Sequence, residues 1–160
     1  MIEIYTDGAS SGNPGKGGYG IVMILKGTSY EKNFSEGFRL TTNNRMELLA
    51  VITALEKINK SNQEVEIYSD SKYVVDAITK NWIYGWEKKK FDKVKNSDLW
   101  IRFLKIYRKH KVTFHWIKGH FGHSNNEKAD KLATNAAKGD KLSIDIVYEK
   151  LMSDKKDIFN

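Results

Sequence analysis

Apolar and polar positions change period along the chain, and each change marks an element. Ile2, Ile4 and Thr6 alternate with polar or aromatic neighbours until Asp7-Gly8 ends the run, which predicts a strand. A Gly/Ser/Asn/Pro-rich stretch at 9–18 predicts a loop. Residues 19–26 read as a buried strand, with 29–38 as its hairpin partner around Gly27. Met46, Leu49, Ala50, Thr53, Ala54 and Lys57 then recur at the 3.6-residue period, predicting a helix that starts among Thr41-Thr42-Asn43-Asn44 and ends near Asn59. A short strand at 65–69 follows, and Asp70-Ser71 opens a helix to about Lys80. Ser97-Asp98 caps a helix reaching about His110, 112–118 alternate as a strand, and 119–124 form a loop. A last helix covers 125–138, with Gly139 as its stop. The order βββαβααβα implies an α/β fold, a five-stranded mixed sheet flanked by helices. No pattern continues past Asp140, so 1–139 stands as one domain and 140–160 as a tail without assigned structure.

Composition adds exclusions. A length of 160 residues suits a single domain, and 40% hydrophobic with 29% charged residues is globular composition. The absence of cysteine excludes a disulfide framework, Cys-ligated zinc and a thiol nucleophile, and it suits a reducing compartment. An acid at position three and no long apolar run predict neither a signal peptide nor a membrane span, so the expected location is the cytoplasm. The net charge is +7, which favours a polyanionic partner. That excess is local: residues 72–118 hold 13 Lys and Arg against four Asp and Glu, or +9, leaving −2 on the rest.

Four acids occupy one kind of position. Asp7 and Asp70 end predicted strands, whereas Glu47 and Asp130 lie near predicted helix starts. In an open α/β sheet such positions gather on one rim, where ligands bind. Each also has a local reading: an Asx turn at Asp7-Gly8, a capping box from Asn44 to Glu47, an N-cap at Asp70, and a favourable helix dipole at Asp130. Capping gives no reason for Asp7 at the end of a buried-type strand. Clustered carboxylates repel one another unless a cation joins them, and oxygen-only ligand sets select hard cations such as Mg²⁺ or Mn²⁺.

The ordered motifs Tyr5-Thr6-Asp7-Gly8 with Gly12-Asn13-Pro14-Gly15, Thr41-Thr42-Asn43-Asn44-Arg45-Met46-Glu47-Leu48, Ser69-Asp70-Ser71, Trp116-Ile117-Lys118-Gly119-His120, and Asn126-Glu127-Lys128-Ala129-Asp130 resemble type 1 ribonuclease H over 2–139. The resemblance implies a ribonuclease H-like fold and an endonuclease that cuts the RNA strand of RNA–DNA hybrids by two-metal-ion hydrolysis, leaving 5′-phosphate and 3′-hydroxyl ends. It implies that Asp7, Glu47, Asp70 and Asp130 ligate two Mg²⁺ ions, with Mn²⁺ as a substitute. His120 matches a mobile-loop histidine that assists proton transfer or product release; His123 lies three residues away.

Residues 82–96 look like the family's basic protrusion, with Lys88, Lys89 and Lys90 suited to DNA-strand phosphates. One of Trp82 and Trp86 would pack against a deoxyribose, Trp82 being the candidate, while the other anchors the core. Asn13, Asn43 and Asn44 match minor-groove positions, where amides both donate and accept. Thr42 and Asn96 resemble a DNA-phosphate pocket. The chain departs from the pattern in a short 86–98 stretch, in Leu40 beside Arg39 where an arginine is expected at 40, and in Lys72 where a neutral amide is expected. The implied protein acts as a monomer. A non-catalytic hybrid- or duplex-binding module on the same fold is the alternative, and it would be expected to have lost at least one of the four acids.

Overall fold

A computed structural model describes residues 1–119 and 123–159. Its centre is a mixed sheet of β1 (Ile2–Ser11), β2 (Gly15–Leu25), β3 (Glu31–Thr41), β4 (Glu64–Ser69), β5 (Lys111–Trp116) and β6 (Leu142–Ser143), in the order β5-β4-β1-β2-β3-β6. The first three strands form an antiparallel meander, β4 runs parallel to β1, β5 to β4, and β6 to β3. The helices among the described residues are α1 (Asn43–Glu56), α2 (Lys72–Thr79), α3 (Trp82–Lys88), α4 (Ser97–Tyr107), α5 (Ser124–Lys138) and α6 (Ile146–Asp157). The fold is thus of the expected α/β class, with one strand more than the five anticipated and with α3 and α6 added.

Two of the additions carry too little sequence to show a period. Strand β6 is two residues long, pairing Leu142 and Ser143 with Gly37 and Phe38, and is too short to show a period. Helix α3 is seven residues long and its aromatic and lysine content masks any stripe. The expected glycine-rich loop at 9–18 contracts to a tight turn, because β1 runs on to Ser11 and β2 begins at Gly15.

The core lies between the sheet and α1 with α4, where Ile4, Ile21, Leu48, Ile52, Ile67, Trp100 and Phe103 are fully buried. Helix α1 is buried without a break from Arg45 to Ile52, and again at Ala54 and Leu55, which explains its nearly all-round apolar sequence. Helix α5 covers the other face through Ala129, Ala133 and Ala137. A Cβ at Gly20 would collide with the Ala129 carbonyl, so the small residues on both sides let α5 lie directly on β2.

Candidate active site

The parallel register sets the first two acids level. Tyr5 of β1 pairs with Tyr68 of β4, so Asp7 and Asp70, each two residues further on, emerge at the same rim. Helix α2 takes its N-cap from Ser71, whose hydroxyl accepts from the Val74 N–H, so the cap expected at Asp70 falls one residue later. The Asp70 carbonyl accepts the indole N–H of Trp116 at 3.2 Å.

Glu47 is placed by a contact that spacing could not reveal. The expected capping box is not formed: Thr42 is the N-cap of α1, accepting from the Arg45 N–H, while Glu47 Oε1 accepts from the Gly8 N–H at 2.7 Å. A Cβ at Gly8 would collide with the Glu47 backbone nitrogen, so glycine there is what lets α1 approach β1. Carboxylate oxygens of Asp7, Glu47 and Asp70 all lie within 4.8 Å of one another. Asp130 sits in the second turn of α5 rather than at its start, and its carboxylate acts on Asp7 in the same cleft of about 500 Å³.

Burial and mutual repulsion dominate this cleft. Asp7 and Glu47 are each 3% exposed. Burial pushes the Asp7 carboxyl well above the usual carboxylate range, and the adjacent Glu47 adds to the shift. Burial also raises Glu47, helped by Asp70 and Asp130, while the Gly8 N–H pulls the other way. Glu47 Oε2 is buried without a hydrogen-bond partner. An orphaned carboxylate oxygen inside an oxygen-only cluster is the coordination chemistry of a hard divalent cation, and Asp7, Glu47 and Asp70 would hold it.

The other predicted residues divide by position. Asn43 and Asn44 line the acidic cleft, whereas Asn13 accepts the Asn43 N–H at 2.8 Å and ties the β1–β2 turn to α1. Asn13, Thr42 and Asn96 line a neighbouring cleft. Trp82 is 49% exposed with Lys80 Nζ 5.2 Å from its ring centroid, while Trp86 packs edge-on against the buried Trp100 at 5.3 Å. Lys88, Lys89 and Lys90 are exposed. Lys72 lines the acidic cleft, its ammonium 4.7 Å from the Trp116 ring centroid. His120 lies outside the described residues.

The sequence reading missed a buried charge cluster two residues from Glu47. The Arg45 side chain, 2% exposed, donates to Asp145 at 2.7 and 2.9 Å and to Asp98 at 2.8 and 2.9 Å. Its guanidinium also reaches Asn96 Oδ1 at 3.2 Å, and Thr41 donates to Asp145 at 2.7 Å. Asp145 stands in a tail without motifs and about a hundred residues from Thr41 and Arg45, so no local signal marked it.

Asp70 directly follows β4, whereas Asp7 lies within β1, which continues four residues past the predicted strand end. The strand order, the helices on both faces and the carboxylates gathered from β1, α1 and the end of β4 define the ribonuclease H-like class of α/β proteins. A model of the family described as RNase H matches residues 1–138. Ribonuclease H of Desulforamulus reducens is 52% identical over 150 residues, covering 91% of this chain and 92% of that protein. Ribonuclease H of Rippkaea orientalis is 49% identical over 153 residues, covering 92% of each. The crystal structure of LC9-RNase H1 aligns with a TM-score of 0.79 at 30% identity, over 89% of this chain and 74% of that one. LC11-RNase H1, solved in complex with RNA/DNA hybrid, aligns with a TM-score of 0.65 at 29% identity, over 86% and 96%. The chain belongs to the RNase H family.

Proposed function

We propose that this chain hydrolyses the RNA strand of RNA–DNA hybrids, with Asp7, Glu47, Asp70 and Asp130 as the ligands of two Mg²⁺ ions. The observation that carries this reading is the buried, partnerless Glu47 Oε2 within 4.8 Å reach of the Asp7 and Asp70 carboxylates. Membership in the RNase H family and the hybrid bound by LC11-RNase H1 support the substrate class. Bound Mg²⁺ supplies charge neutralisation and an activated water at the scissile phosphodiester, and Mn²⁺ is the expected substitute.

The chain's own residues orient the parts. The Gly8 N–H fixes the Glu47 carboxylate, and the Trp116 indole holds the backbone at Asp70. Asn13, Asn43 and Asn44 present amides to the minor groove, where a ribose 2′-hydroxyl can both donate and accept. Thr42 and Asn96 hold a phosphate of the DNA strand. Trp82 packs on a deoxyribose, and Lys88, Lys89 and Lys90 follow the phosphates. His120 assists proton transfer or product release. The chain acts as a monomer, with the cytoplasm as its compartment; no helix among the described residues is long and apolar enough to cross a membrane.

The non-catalytic alternative is disfavoured because all four acids are present and three of them converge. One cleavage assay separates the two. With Mg²⁺, the hybrid should yield 5′-phosphorylated RNA fragments while duplex DNA, duplex RNA and single strands stay intact; EDTA should abolish cleavage. Undiminished activity in excess EDTA, or full activity in Asp70→Asn, would overturn the reading.

A further inference from the structure

Helix α6 begins beyond residue 138, where the RNase H family match ends, and the structure anchors it firmly by its first turn. Asp145, the residue before the helix, is held by Thr41 and Arg45. Glu149 forms a bidentate pair with Arg39 at 2.8–3.2 Å, and the Arg45 guanidinium sits 5.7 Å from the Tyr148 ring centroid. This anchoring directs the next turns along a cleft of about 740 Å³, with Asn13, Thr42 and Asn96 on one wall and Tyr148, Leu151 and Lys155 on the other.

We infer that α6 is the far wall of the channel for the DNA strand, with Lys155 contacting a backbone phosphate next to the one held at Thr42 and Asn96. The inference rests on the hybrid-nuclease reading, because that reading puts a DNA phosphate at Thr42 and Asn96. Any backbone passing those two residues enters the space that α6 borders, since all line one cleft. The chemistry of the walls suits a deoxyribose-phosphate chain. Lys95 and Lys155 bring cations to the cleft, and hydroxyl and amide donors lie between them. Leu151 is 49% exposed and offers apolar surface to a sugar that lacks a 2′-hydroxyl. The tail therefore has a recognition role beside its structural one: it lengthens the footprint on the DNA strand.

The test compares two charge reversals on one helix. Lys155→Glu faces the cleft, and Lys150→Glu makes the same change at an exposed position that does not line it. Lys155→Glu should raise KM for a hybrid about five- to tenfold and reduce the slope of log KM against log salt by about one, with kcat little changed. Lys150→Glu should shift KM less than about twofold by screened, non-contact electrostatics. Equal effects of the two would overturn the inference. The strand is settled with neutral methylphosphonates placed singly along the hybrid. One in the DNA strand should erase the difference between wild type and Lys155→Glu, whereas RNA-strand substitutions should leave it intact. Erasure from the RNA strand, or from neither, would overturn the assignment. Failure of the underlying reading would show separately, as absence of hybrid cleavage by the wild-type chain. Both lysines are exposed, so equal Tm values among the three proteins confirm that folding is not the readout.

Discussion

Replacing Asp7 by Asn should abolish activity and at the same time stabilise the metal-free protein. Asp7 is 3% exposed beside Glu47, also 3% exposed, and burial is the largest cause of the upward shift in both. A carboxylate whose folded pKa lies above its unfolded value near 3.9 binds more protons in the folded state, so its contribution is full below that value and lost as pH rises through the folded pKa. At neutral pH without metal, the pair therefore opposes folding. A buried polar group left without a compensating partner costs roughly 1–3 kcal/mol, which sets the scale of the penalty. The Asn amide keeps the shape and is neutral without taking up a proton. In EDTA at pH 8, Asp7→Asn should gain stability of that order, or about 3–10 °C in Tm. The gain should shrink toward pH 5, because the cost of holding the proton falls as pH approaches the unfolded-state value. With Mg²⁺ the order should reverse, because the wild type alone gains from binding the cation. Cleavage should fall by on the order of 10³-fold, the loss of several kcal/mol of charge stabilisation. Thermal unfolding across pH with and without Mg²⁺ reads all of the stability effects. A variant less stable than wild type in EDTA at pH 8 would refute the account of the acidic cluster.

The buried Arg45 supplies a second outcome: with side-chain exposures of 2% for Arg45 and 9% for Asp145, Asp145→Asn should cost about 2–4 kcal/mol, read by urea denaturation. Pairing it with Arg45→Met should cost less than the sum of the single changes; strict additivity would refute coupling between tail and α1. Replacing Lys88, Lys89 and Lys90 together by Ala should raise KM and flatten its salt dependence with a smaller effect on kcat, and an unchanged slope would show that these lysines do not touch phosphates.

Much of this protein is visible in one dimension because its acids stand where local patterns break. Asp7 closes a period-2 run and Asp70 follows another, which predicts two strand ends on one rim; Asp70 does follow β4, whereas β1 pairs on to Ser11 and keeps Asp7 within the strand. The charge partition is equally local, with +9 in residues 72–118 and the four acids outside them. Glu47 shows the limit. Its spacing from Asn44 is that of a capping box, and only the close approach of Gly8 to α1 turns its carboxylate into the cleft.

The two tryptophans and the tail were decided in the same way. Trp82 and Trp86 are chemically alike and four residues apart, and packing against Trp100 is what separates the core ring from the exposed one. Residues 140–160 carry no period, yet Asp145 finds Arg45 a hundred residues upstream and thereby fixes β6 and α6 against the domain. Sequence alone determined the order of β1 to β5 with α1, α2, α4 and α5, the set of candidate acids and the basic segment, because each depends on neighbours along the chain. The depth of Glu47, the partner of Arg45 and the position of α6 depend on groups brought together from distant segments, and only the tertiary structure decided them.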